Sequence, residues 1–211
     1  MFILTIDQQG SRRVGDRVGE LLAHLRARGD MHRGSAGVVA PFERTVGDEV
    51  QCVLDDPALA VDVALAVLRL TGWSIGIGAG DVDEPLPESS RAGSGPAFVM
   101  ARDAVEQAKS RLKVVPLVVH GADEERAREA EAVLVLLGAT LQRRTAAGWE
   151  VVDAVERSGE TRQDLIASRV GVTQQAVSQR LRTALWLEEQ AARPVAARLL
   201  AEAAAGSRDA P

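Results

Sequence analysis

Aromatic residues make up only 3% of the 211-residue chain, and there is a single cysteine, Cys52. One cysteine excludes an internal disulfide. The chain opens straight into an apolar run with neither a charged leader nor a cleavage site, so a cytoplasmic protein is expected. Also missing is any apolar stretch of the roughly 18 residues a membrane-spanning helix needs. The longest run, Ala132 to Ala139, is far shorter, and no membrane partner is expected. With few rings, the 46% hydrophobic content must pack through Ala, Val and Leu, which favours helices laid on a Val/Ile sheet.

The length suggests one main domain with a smaller appendage. Net charge is −5, but it is unevenly spread: residues 1–140 carry 15 Lys+Arg against 21 Asp+Glu, and the remainder 10 against 9. Between Thr161 and Trp186 stand Arg162, Arg169, Arg180 and Arg182 against one acid in their midst, Asp164. The acidic portion and this basic segment read as different working parts.

Periodicity supplies the elements. Phe2 to Ile6 reads as a buried strand ended by a turn, and Val14 to Arg28 as a helix closed by Gly29. Val38–Arg44 and Val50–Leu54 read as a hairpin, Pro57 opens a helix to about Leu70, and Trp73–Ala79 is a strand. The glycines of that last strand imply either close backbone approach or room for a ligand. A Pro-, Gly- and Ser-rich loop follows from Asp81 to Pro96. Then come a helix over Ala97 to Leu112, a strand over Val114 to His120, and a helix over Asp123 to Leu137. The order β-α-β-β-α-β-α-β-α predicts a mixed sheet with helices on one face, an α+β domain over residues 1–140. From Ala146 no strand pattern remains, so an all-helical unit is expected over 146–205, and Gly206 to Pro211 should fray.

The sharpest local signal runs from Asp164 to Arg182. Two helices that cross steeply need a small residue where they touch, a left-handed residue in the turn and apolar residues inward. Ala167, Gly171 and the set Val172, Val177 and Leu181 meet those needs. Thr173 can cap the second helix. Gln174, Gln175, Ser178, Gln179 and Arg182 then fall on its outer side, as a recognition helix requires: glutamine reads adenine edges and arginine reads guanine edges or phosphates. The bland alternative is a structural helix corner. The segment from Trp149 to Leu187 resembles the helix-turn-helix of bacterial regulators and sigma-factor-like domains, which implies DNA as a partner, bound by a homodimer. Leu185, Leu187, Val195 and Leu199 suit packing or a dimer contact, with packing the stronger expectation.

In the first domain Asp7, the Gly47-Asp48-Glu49 turn and Arg102 could form a metal-and-phosphate site, two carboxylates sharing a divalent cation opposite an arginine. Equally, Asp7 can cap a strand turn, Asp48 and Glu49 can be ordinary hairpin acids, and Arg102 can pair with Asp103 or Glu106. His24, His32 and His120 lack ligand spacing, and Cys52 reads as core.

The motifs TIDQQGS at Thr5–Ser11, RTVGDEVQ at Arg44–Gln51, IGIGAG at Ile75–Gly80 and AFVMAR at Ala97–Arg102 resemble those of the class III nucleotidyl cyclase fold, which has a ferredoxin-like core. The resemblance implies that Asp7 and Asp48 hold Mg²⁺ or Mn²⁺ and that Arg102 contacts a nucleotide. That family's base-selecting lysine and ribose-binding asparagine fall at Phe42 and Phe98, which cannot hydrogen-bond a purine or ribose. A non-catalytic domain that binds a nucleotide or metal is therefore expected. The chain is more closely similar to the SatD family, which shares the strand ending in Asp, the GDE hairpin and the Gly95-Pro96-Ala97 and Ala101-Arg102 segments. Together these readings predict a DNA-binding regulator. The competing readings are a Mg-dependent nucleotidyl or phosphoryl-transfer enzyme using Asp7, Asp48 and Arg102, and a protein-interaction module docked through its helical tail.

Overall fold

The computed structural model describes residues 1–29, 31–110 and 112–206. Of the tail expected to fray, Gly206 is described and 207–211 lie outside the described residues. The fold is α+β, with a five-stranded mixed sheet and a helical C-terminal region.

Strands β1 (Phe2–Gln8), β2 (Val38–Arg44), β3 (Glu49–Leu54), β4 (Trp73–Ala79) and β5 (Leu117–Gly121) lie in the order β2-β3-β1-β4-β5. β1 is antiparallel to β3 and β4, whereas β4 and β5 run parallel. In register, Asp7 faces Glu49 on one side and Ser74 on the other, so the β2–β3 turn sits beside the C-terminal end of β1.

The helix expected over Val14–Arg28 is two pieces, α1 (Ser11–Val14) and α2 (Val18–Ala27). Gly15 at φ 83° breaks it, in backbone that side-chain-bearing residues avoid. Gln8, buried at the end of β1, holds the intervening loop by donating to Gly15 O at 2.6 Å and accepting from Arg17 N at 2.8 Å. α3 (Pro57–Leu70) starts on Asp56, whose carboxylate accepts from Ala58 N at 2.8 Å. α5 (Glu124–Arg143) starts likewise on Asp123 and runs six residues past the expected end.

Helices lie on both faces of the sheet, not one. Phe2, Leu4 and Ile6 of β1 join α2, α3, α5 and the last helix in the larger core. Ile3 points the other way, beneath α4 (Pro96–Ala108) with Ala97, Phe98 and Ala101. The glycines of β4 make this second layer possible: a Cβ on Gly78 would collide with the Ala97 carbonyl and Ala101 amide, and one on Gly76 with the Val105 amide and Ala101 carbonyl. They serve backbone approach rather than a ligand. A strand with glycine on one side and Ile75 and Ile77 on the other buries both faces.

The C-terminal helices are α6 (Ala146–Ser158), α7 (Gln163–Val170), α8 (Gln174–Thr183) and α9 (Trp186–Ala205). A small core of Val151, Ala154, Ile166, Ala167 and Val177 unites α6, α7 and α8. α9, placed by sequence in the second unit, instead packs on α5 and α3 and puts Ala196, Leu199, Leu200 and Ala203 into the large core. No helix among the described residues is long and apolar enough to cross a membrane.

Candidate nucleic-acid interface and the Asp7 cluster

The α7–α8 pair is built from local rules. Gly171 takes the left-handed conformation at φ 73°, and its amide and that of Val172 both return to the Ala167 carbonyl, at 2.9 and 3.1 Å. The Thr173 hydroxyl then accepts from Ala176 N at 3.1 Å and opens α8. Val177 is fully buried between the helices, and Val172 and Leu181 pack against the same cluster.

That inward anchoring decides what faces out. Gln174, Gln175, Ser178, Gln179 and Arg182 recur at spacings of one and three and therefore share one side of α8. All are exposed except the half-buried Ser178, and none forms a side-chain hydrogen bond or ion pair among the described residues. Arg180 points elsewhere and reaches Glu150 of α6 at 2.7 Å. Arg162 is held by Asp164 at 2.7 Å, which lowers the Asp164 pKa chiefly through that hydrogen bond. Arg169 and Arg182 are left without a partner among the described residues, so the outer surface keeps both donors and positive charge.

The first-domain candidates come together only in part. Asp7 and the Asp48–Glu49 turn are neighbours, as the register requires. The cation on Asp7, however, is Lys109 at 3.0 Å, which also bonds Glu106 at 2.6 Å. Burial raises the Asp7 pKa and the nearby Asp48 and Glu49 charges add to that, while Lys109 opposes it. Glu49 accepts from the Thr45 hydroxyl at 2.5 Å. Arg102 is exposed on α4, two helical turns before Lys109, about 10 Å along the axis. It joins no ion pair among the described residues, with Asp103 and Glu106 included.

An ammonium on Asp7 takes the place a cation would need, and no group of three or more metal-ligating side chains occurs among the described residues. The donor set as arranged does not fit a divalent ion. Phe42 and Phe98 are buried in the two cores, Phe98 against Gly93, so both rings are spent on packing. Cys52 is fully buried and its thiol pKa is raised by that burial.

Sequence reasoning missed Lys109, although its place seven residues after Arg102 puts both on neighbouring stripes of one helix. It also missed Arg144, which falls in the gap between the two expected domains. Arg144 and Glu189 form an ion pair with side chains 1% exposed, and Arg144 donates to the Ala184 carbonyl at 2.8 Å. Arg193 bonds Glu189 as well and crosses to Asp62 of α3 at 2.6 Å. No single-sequence signal marks such a pairing 45 residues apart. Comparison with protein families, with curated proteins and with solved structures finds no match.

Proposed function

We propose that the chain is a DNA-binding regulatory protein of the SatD type, in which α7 and α8 form a helix-turn-helix and α8 enters a major groove. The single observation behind this is the outer side of α8: a row of short hydrogen-bonding groups and an arginine, all without internal partners among the described residues. A purely structural helix corner gains nothing from such a row, whereas base edges take these side chains directly. One recognition helix binds weakly, so a homodimer on paired half-sites in the cytoplasm completes the proposal.

The α/β body is read as a cyclase-like domain without cyclase chemistry. Its order through β4 is β-α-β-β-α-β with β3 inserted between β2 and β1, as in a split β-α-β arrangement. The buried Phe42 and Phe98 support the non-catalytic reading.

Selection of bound genomic fragments, followed by anisotropy titration at several salt concentrations, tests the DNA reading. The expected result is a log-log salt slope of about −0.9 per phosphate neutralised; an affinity indifferent to salt would remove it. A phosphoryl-transfer enzyme is the second reading, favoured by the adjacency of Asp7 and Asp48. It requires turnover of ATP or GTP with Mg²⁺ or Mn²⁺ above that of Asp48→Asn, and none is expected.

A further inference from the structure

Through its middle α5 is apolar on every side. Ala132 to Ala139 holds no polar or charged side chain, and a helix that is hydrophobic all round belongs in an interior. The fold covers one side only: Ala130, Leu134, Leu137 and Leu141 enter the large core. Leu136 stands on the opposite side and is 70% exposed. The surface on either flank of Leu136 is hollowed and apolar. A groove of about 200 Å³ between α5 and α9 has Val133, Leu136 and Leu185 in its walls, and one of about 330 Å³ has Val114, Val135 and Ala139. Leu185 carries its side chain at φ 52°, where glycine is the usual residue, and leaves it 44% exposed in the first of these grooves.

The row that carries Leu136 has opposite charges at its two ends. Glu125 and Arg143 are eighteen residues apart, five turns of an α-helix, so they lie on one line about 27 Å long, with Ala132 and Leu136 within about 20° of it. Both ends are exposed, and neither side chain forms a hydrogen bond or ion pair among the described residues. The charges between them have partners within α5: Glu129 meets Arg126 at 2.6 Å, and Arg128 lies 4.0 Å from Glu124.

We infer that this side of α5 is the interface with a second copy of the chain, the two α5 helices lying antiparallel about a two-fold axis. Such an axis sets the same row against itself in the opposite direction. Glu125 then meets the partner's Arg143 at each end, and the same register sets Leu136 against the partner's Ala132, a large side chain into the space of a small one. A lipid surface or an unrelated helix gains nothing from a row that is complementary to itself. Leu185 links α8 to α9, so the interface reaches the end of α8. The inference deepens the homodimer part of the proposed function and rests on that part, not on contact with DNA.

The test is sedimentation velocity of the full chain, without DNA, over a wide range of protein concentration. A wild-type dimer is expected. Leu136→Asp should weaken it about 100-fold or more, because one substitution removes the same central contact from both copies. Glu125→Arg and Arg143→Glu should each weaken it about 10-fold by setting like charges opposite one another at both ends, and the two together should restore it. Val99→Asp, an exposed apolar position on α4, should change nothing. All these side chains are exposed, so circular dichroism should show the fold unchanged; were Leu136→Asp to unfold, the paired charge reversals decide the matter. A dimer indifferent to Leu136→Asp, or reversals that fail to rescue one another, would overturn this interface and leave the homodimer standing. A wild-type monomer would overturn both, while the contact of α8 with DNA is judged by its own titration.

Discussion

Arg144 and Arg182 are the same residue type in two opposite settings. Arg144, at the junction of α5 and α6, donates to Glu189 and the Ala184 carbonyl and lies over Trp149, with 1% of its side chain exposed. Arg182 on α8 stands in solvent with no partner among the described residues. Around Arg144 all but one of the donors are consumed in joining α9 to the helical unit, Nη1 alone being buried without a hydrogen-bond partner among the described residues, and Arg193 on the same Glu189 reaches α3. Around Arg182 the donors are withheld from any internal task. A folded chain keeps hydrogen-bonding capacity unspent where a partner can take it up, and satisfies it where burial would make it costly.

The largest expected effect falls on the closed side. Glu189→Gln removes the countercharge of Arg144 and one of the two carboxylates on Arg193, and unfolding in urea should show a loss of about 3–5 kcal/mol, the cost of breaking a buried pair by removing one partner. A loss near zero would mean that Arg144 is as free as Arg182. On the open side Arg182→Ala and Gln175→Ala should each weaken DNA binding by about 1–3 kcal/mol, the worth of one side chain's hydrogen bonds to a base edge, while their unfolding free energies stay within about 0.5 kcal/mol of wild type. Stability loss in either variant would show that the α8 surface is structural.

Lys109→Ala tests an intermediate setting. Its ammonium is partly exposed, so stability should drop by only about 1 kcal/mol, and the Asp7 pKa, followed by NMR titration, should rise further as its opposing cation disappears. The smallest effect is one of pH. The raised Glu156 pKa means that the folded chain keeps that proton above the ordinary glutamate value of 4.5, so this group's contribution to stability falls as pH rises from there through the raised value. Glu156→Gln should therefore melt at the same temperature as wild type in acid and higher at neutral pH. A difference that narrows with rising pH would contradict the assigned direction.

Much of the architecture is legible in the sequence because it rests on local rules. The strands at 38–44 and 73–79 coincide with the expected ones, and Gly171, Thr173 and Val177 take the turn, cap and inward positions assigned to them. The two-residue alternation of β1 and the three-to-four-residue spacing of α8 are visible in any window of the chain. The expectations that fail depend on partners remote in sequence. The glycines of β4 admit two meanings until α4 is seen lying on them. Helices on a single face of the sheet are the wrong expectation because apolar pattern alone does not say which side an Ala-rich helix takes. Asp7 and Asp48 are neighbours as the hairpin pattern implies, but the cation on Asp7 is Lys109, which follows the last residue of α4.

By itself, then, the sequence determined the elements, their order and which side chains of α8 cannot be buried without loss, since these follow from periodicity, capping and turn chemistry within a few residues. Tertiary structure alone decided that α9 returns to the main core, that Lys109 neutralises Asp7, and that Arg144 and Arg193 meet on Glu189. Those outcomes are set by burial and charge pairing between residues far apart in the chain, and no local pattern encodes a distance across space.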